Sequence, residues 1–269
     1  MSMNNFINTK QYKQFSEFCK ACHRDKYIGL CYGLAGVGKT ESARHYSNWY
    51  QVIKSNKQSV PFSPLPIPTF SMKRLNSILY TPNILENPKQ MIFDIKKMQK
   101  KFSWLKEKYI YGEEIPMCAR EENRNFAELV IIDESERLKP QSFELIREVY
   151  DQGETNFIFI GMPGIEKTLE RFPQLYSRVG FVHQFKNLGK VEVEFIINKN
   201  FSKLGIEIDE NNFSDQEAIS AVIRMTNGNF RLINRLLKQS IRIMKVNHMT
   251  ILTKEIIEAA RSCLLIGEK

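Results

Sequence analysis

Several things are scarce in this sequence of 269 residues. No apolar run approaches the ~18 residues of a membrane-spanning helix, so no membrane partner is expected. The opening Met1-Ser2-Met3-Asn4-Asn5 has no basic stretch followed by an apolar one. No secretory signal is read there, and a cytoplasmic protein is expected. Cysteine is sparse and odd in number: Cys19, Cys22, Cys31, Cys118 and Cys263. An odd count without a signal argues against a disulfide framework. Cys19-Lys20-Ala21-Cys22-His23 spells a haem-attachment pattern. It sits, however, in an amphipathic stretch with Phe15, Phe18 and Cys22 on one face, and that reading is rejected. A zinc site is equally unsupported, because no second ligand pair stands at a usual spacing. Acidic residues are outnumbered, 30 against 39 basic ones, for a net charge of +9. That balance favours a polyanionic partner, nucleic acid first, although a generally basic background gives the same number.

The sequence does contain Gly33-Leu34-Ala35-Gly36-Val37-Gly38-Lys39-Thr40. It fits G-x-x-x-x-G-K-[ST], the phosphate-binding loop. Gly33, Gly36 and Gly38 let the backbone approach phosphate oxygens and turn its N–H groups inward. Lys39 supplies a point charge for β- and γ-phosphates, and the Thr40 hydroxyl is a magnesium ligand. Val37 and Glu41 complete the candidate nucleotide-binding set. The flanks suit the motif. The run 27–32 has strand length, and residues 41–53 carry Ala43, Tyr46, Tyr50 and Ile53 at helical spacing, which predicts one helix.

Leu129-Val130-Ile131-Ile132-Asp133-Glu134 is the second decisive stretch. Four apolar residues predict a buried parallel strand that ends in two carboxylates. Asp133 is placed to hold magnesium through water, and Glu134 to orient or deprotonate an attacking water. Helix from Pro140 to about Tyr150, strand over 156–161, helix over 165–171 and strand over 180–185 follow. This alternation predicts an α/β fold with a parallel sheet.

From Gly189 the pattern is helical. Ser214-Asp215-Gln216-Glu217 reads as a capping box. A helix starting near Phe230 carries Arg231, Arg235, Lys238, Arg242 and Lys245 on one face. Over 89–108, Ile92, Ile95, Met98, Phe102 and Leu105 recur at 3–4 spacing and predict an amphipathic helix, whose basic outer face carries Lys96, Lys97, Lys100 and Lys101 with Phe102 and Trp104 interleaved. Lys73 and Arg74 follow a proline-rich run that could end in an edge strand near Thr69. Lys73, Arg74, Lys96, Lys97, Lys100, Lys101, Arg235, Lys238 and Arg242 are the candidate nucleic-acid contacts. Each group is also compatible with a solvated face.

These motifs, with Arg178 in Tyr176-Ser177-Arg178 and Arg231 in Gly228-Asn229-Phe230-Arg231, resemble an AAA+ ATPase. The runs 130–140 and 228–237 are similar to the TniB/TnsC/MuB-type transposition ATPases. The resemblance implies an AAA+ sheet flanked by helices and a C-terminal all-helical lid. It covers roughly residues 25–265, with a nucleotide-binding α/β domain over 26–188 and the lid over 189–269. Ahead of it, a polar lead with Phe6, Tyr12, Phe15 and Phe18 predicts an N-terminal helical arm over 1–25 that packs on the nucleotide domain or meets a partner. ATP and Mg²⁺ would be the cofactors. Arg178 would be an arginine finger acting on a neighbouring subunit, and Arg231 the lid arginine that contacts phosphate in cis. Double-stranded DNA, a transposase and a homo-oligomer, ring or filament, would be the partners. Met162 stands where the family carries a polar residue that positions water, which implies slow hydrolysis. A helicase loader or replication initiator shares the fold and DNA binding. A small-molecule P-loop kinase shares only the loop.

Overall fold

The computed structural model describes residues 6–57, 71–112, 127–202 and 212–264. The strand expected to end near Thr69 lies outside the described residues, as does Cys118. The chain forms two compact units. One holds Met1–Gly33 and Lys39–Gln184, the other Leu34–Gly38 and Phe185–Lys269.

The first unit runs α1 (Lys10–Asp25), β1 (Ile28–Gly33), α2 (Lys39–Tyr46), α3 (Trp49–Lys57), β2 (Ser77–Tyr80), α4 (Pro88–Tyr111), β3 (Leu129–Ile132), α5 (Pro140–Asp151), β4 (Asn156–Gly161), α6 (Ile165–Leu169), α7 (Pro173–Tyr176) and β5 (Val179–Phe185). The strands lie in the order β2-β3-β4-β1-β5. β1 pairs with β4, β4 with β3 and β3 with β2, all parallel. Alternate side chains of a strand point to opposite faces, so the sheet serves two layers. Ile28, Leu30, Val130, Ile132, Phe157 and Phe159 join one core with Met91, Ile95, Phe102 and Leu105 of α4 and Phe143 and Ile146 of α5. α1 buries Phe15, Phe18, Cys19 and Cys22 on the other face. There Gly29 leaves room: a Cβ on it would stand 2.6 Å from Cys22 Sγ and 2.7 Å from the Phe18 ring.

The second unit contains α8 (Lys190–Ser202), α9 (Phe213–Thr226), α10 (Phe230–Val246) and α11 (Lys254–Ser262). Its core is Val193, Ile196, Ala218, Val222, Ile233, Leu236, Leu237 and Ile257. The five-stranded parallel sheet with flanking and C-terminal helices is the AAA+ P-loop fold that the sequence led us to expect.

Four local expectations are corrected. The helix expected over 41–53 is two helices. Ser47 Oγ donates back to the Ala43 carbonyl at 2.8 Å, and Asn48 takes a left-handed φ of 49°. A short polar side chain tolerates that turn, and it ends the first helix. β2 was not anticipated; it has four residues, too few to show periodicity, and depends on its pairing with β3. The capping box at Ser214 is displaced. Asn212 caps the helix through a hydrogen bond from Ser214 N at 2.9 Å, and asparagine caps as well as serine does. Finally, Phe102, counted both in the apolar stripe of α4 and among the aromatics of its basic face, belongs to the stripe alone: it is 1% exposed and lies in the core.

Candidate nucleotide site

Parallel pairing brings the C-terminal ends of β1, β3 and β4 to one edge of the sheet. The loop 33–40 leaves β1 there, Asp133 follows β3, and Met162 follows β4. Open α/β sheets bind ligands at this edge. Thr40 Oγ1 donates to Asp133 Oδ2 at 2.7 Å, which joins residues 93 positions apart. Lys39 Nζ donates to the Gly33 carbonyl at 2.5 Å and lies 3.7 Å from Met162 Sδ. Among the described residues no group of three or more His, Cys, Asp or Glu converges. The donors available to a cation are a hydroxyl and a carboxylate, hard oxygens that suit Mg²⁺ held partly by water.

Asp133 is 3% exposed. Burial raises its carboxyl above the ordinary value, against the hydrogen bonds from Thr40 and from Glu134 N–H, which lower it. Glu134 N donates to Asp133 Oδ1 at 3.0 Å. The Glu134 backbone is left-handed, with φ 53° and ψ 46°, a conformation that costs a non-glycine residue about 1–2 kcal/mol. Its carboxylate is ion-paired with Arg137. Arg137 Nη1 also donates to the Pro82 carbonyl at 3.3 Å, beyond the end of β2. Ser135 pins the turn: its Oγ donates to the Ile132 carbonyl at 2.9 Å and accepts from Ile160 N at 3.2 Å. Glu41 is engaged by Arg44 at 2.9 Å and by the Tyr50 hydroxyl at 3.2 Å.

Within the second unit, the loop residues sit against the start of α10. Asn229 Nδ2 donates to the Ala35 carbonyl at 2.7 Å, and Arg231 N donates to the Gly36 carbonyl at 3.0 Å. A Cβ on Gly36, where φ is +85°, would meet Asn229 Oδ1 at 2.5 Å and Arg231 Cβ at 2.8 Å. Gly38 has φ +103° and open space around it, so conformation rather than room demands glycine there.

Arg178 does not join this group. It immediately precedes β5, and its carbonyl accepts from Ile28 N at the start of β1. It therefore stands at the opposite edge of the sheet, one six-residue strand away, or about 20 Å. There Nε and Nη2 grip Asp151 Oδ1 and Oδ2 at 2.6 and 2.8 Å. This partner, like Arg137, Ser135 and Asn229, was missed by sequence reasoning. Only Asn229 carried a local signal, in the Gly-Asn that separates two helices.

The basic candidates are exposed. Lys73 and Arg74 lie in a turn, Lys96, Lys97 and Lys100 on α4 with Lys101 half-buried beside them, and Arg235, Lys238 and Arg242 on α10. Cys19, Cys22 and Cys31 are buried free thiols. Burial raises all three, Cys22 to about 12.

A family model described as AAA domain matches residues 22–169. A Staphylococcus aureus protein named "Potential ATP-binding protein" is 41% identical over 266 residues, 98% of this chain and 97% of its own. Among solved structures, the Thermotoga maritima RuvB Holliday junction branch migration motor is similar at TM-score 0.61 and 18% identity, over 99% of this chain and 72% of RuvB. The Aeropyrum pernix ORC1 protein, solved in complex with DNA, is similar at TM-score 0.55 and 16% identity, over 94% of this chain and 64% of ORC1. The loop-edge geometry and these similarities agree, and the chain belongs to the AAA domain family of AAA+ P-loop proteins.

Proposed function

We propose that this protein binds ATP with Mg²⁺ and hydrolyses it slowly in oligomers that assemble on double-stranded DNA. The ATP-bound assembly recruits and activates a transposase and so selects target DNA. The hydrogen bond between Thr40 and Asp133 beside Lys39 carries the nucleotide part: it sets a hydroxyl and a carboxylate where a phosphate-bound cation needs them. Mg²⁺ there would neutralise charge on the phosphoryl group being transferred. Lys39 would exchange the Gly33 carbonyl for phosphate oxygens. Glu134, once released by Arg137, would orient water, while Met162 offers no polar atom suited to the same task. Arg231 projects from the helix start that holds the loop, which suits contact with phosphate in cis.

Arg178, at the far edge, is out of reach of its own loop. That supports a finger supplied to a neighbour, and hence catalysis only in an oligomer. The net charge of +9 and the exposed cationic stripe of α10 support a DNA partner. So do the likenesses to RuvB, a Holliday junction branch migration motor, and to ORC1, solved in complex with DNA. Contacts to phosphate are sequence-tolerant and salt-sensitive. The transposase rests on the resemblance of the runs 130–140 and 228–237. A replication initiator or helicase loader, which shares the fold and DNA binding, is the second reading, and the likeness to ORC1, solved in complex with DNA, suits it as well. Pull-down of a transposase or of a helicase separates the two.

The test is ATP turnover with and without duplex DNA across protein concentration. Stimulation by DNA and a rise in specific activity with concentration are expected. Turnover indifferent to both would mean that one subunit is complete, and the reading fails.

A further inference from the structure

We propose that the outer face of α4 binds single-stranded nucleic acid, with Phe93 and Trp104 as stacking platforms and Lys97 and Lys100 as phosphate contacts between them. The proposal rests on the reading above that nucleic acid is a partner, and it adds a second, unpaired form of that ligand.

α4 is amphipathic in an unusual way. Its inward side holds Met91, Ile95, Phe102 and Leu105. Its outward side is not simply polar. Phe93 is 61% exposed and Trp104 44% exposed. At 100° per residue, Phe93, Lys97, Lys100 and Trp104 fall within a sector of about 60°. Lys96 and Lys101 flank that sector. No acidic residue of α4 is exposed: Asp94 and Glu107 are half-buried, and Asp94 Oδ1 accepts from Gln90 Nε2 at 3.0 Å. Among the described residues, Lys96, Lys97 and Lys100 have no ion-pair partner.

A cationic face alone suits any polyanion. Aromatic rings set into it narrow the choice. In a duplex the faces of the bases are covered by stacking, so Phe93 and Trp104 would have nothing to lie against. In a single strand those faces are available, and stacking on aromatic side chains between cationic phosphate contacts is the common mode of binding. Phe93 and Trp104 are eleven residues apart, about 16 Å along the helix. Bases a few nucleotides apart on an extended strand could occupy both. A second copy of this chain is the poorer occupant, because the same lysines on both copies would repel. Such a surface fits a protein that works where duplex DNA is opened or branched.

The full-length protein with ATP, at low salt, is titrated against labelled oligo(dT), oligo(U) and a duplex. The wild type is compared with Phe93→Ala/Trp104→Ala, Trp104→Phe and Lys97→Gln/Lys100→Gln. The double aromatic variant should lose about tenfold or more in affinity for the single strand and less than twofold for the duplex. Trp104→Phe should retain binding but lose the part of the tryptophan quenching that oligo(dT) causes in the wild type. The lysine variant should weaken single-strand binding and flatten its salt dependence. Preference for oligo(dT) or for oligo(U) identifies the strand as DNA or RNA, and either supports the proposal. Duplex binding with no single-strand binding, or unchanged single-strand affinity in the double aromatic variant, overturns it and leaves the duplex reading intact. A double variant that changes only the oligomer mass also overturns it, in favour of a second copy. A wild type that binds neither form removes nucleic acid as a partner altogether.

Discussion

Arg178→Ala should abolish turnover without harming the loop of the subunit that carries it. The reasoning is geometric. Arg178 and Lys39 lie beyond opposite ends of β1, separated by about 20 Å. At that distance a direct contact is impossible, and the Arg178 charge is already met by the Asp151 carboxylate. In cis, Arg178 therefore adds nothing to phosphate binding, and nucleotide affinity of the dispersed variant should match the wild type. In an oligomer, removal of a finger should cost about 10³–10⁵ in turnover. Mixing supplies the decisive assay. Lys39→Ala keeps the finger and loses the loop; Arg178→Ala keeps the loop and loses the finger. Each alone should be inactive. Subunits mixed equally and at random in a head-to-tail assembly pair a good loop with a good finger at about one quarter of interfaces. Phosphate release should recover to that fraction of wild type and follow the mixing ratio with a maximum at equal amounts. If the mixture stays inactive, or if Arg178→Ala alone turns over normally, Arg178 is no finger and its tie to Asp151 is structural only.

Four further outcomes are expected. Gly29→Ala should destabilise the fold by about 1–3 kcal/mol in denaturant unfolding, because the new methyl collides with Cys22 Sγ and the Phe18 ring. Cys263 should react with a thiol reagent in the native protein, whereas Cys19, Cys22 and Cys31 should react only after unfolding. The latter three are buried with raised thiols, and the thiolate is the nucleophile. Burial pushes the Glu128 carboxyl up, but hydrogen bonds from His23 and Lys26 outweigh it and leave it below its ordinary 4.5. Its contribution is then present above that value and lost as pH falls through the lowered one. Glu128→Gln should cost at most about 1 kcal/mol at neutral pH, and the difference from wild type should vanish in urea melts run well below pH 4.5. Arg235→Gln and Arg242→Gln should each weaken duplex binding alike for unrelated sequences and reduce the salt slope by about 1.

The parts of this molecule legible in its sequence are those whose chemistry is local. The loop 33–40 announces itself because backbone approach to phosphate needs glycine at fixed intervals. The strand before Asp133 does so because burial on both faces leaves an unbroken apolar run. Elements held by distant partners were silent. β2 is a strand only because β3 lies beside it. Arg178 is gripped by Asp151, 27 residues earlier, and nothing in its neighbourhood says so. The break at Asn48 shows a helical pattern overruled by one polar turn. On α4 the apolar period that includes Phe102 matches the buried side, whereas counting Phe102 with the lysine-face aromatics does not, and Phe93 carries no mark in the sequence. Their difference is 100° steps counted from a core that only the fold locates.

The packing of α1 also decides where this chain can be shortened. A fragment that keeps only the nucleotide-facing part would begin at β1, Ile28–Gly33. Here such a cut would strip Phe15, Phe18, Cys19 and Cys22 from the sheet face that Gly29 leaves open to them. Burial of two aromatic side chains alone contributes about 3–6 kcal/mol, a large share of the 5–15 kcal/mol that holds a typical domain folded. A fragment starting at the strand should emerge insoluble even though every nucleotide-facing residue is retained, so the helix belongs inside any minimal folding unit.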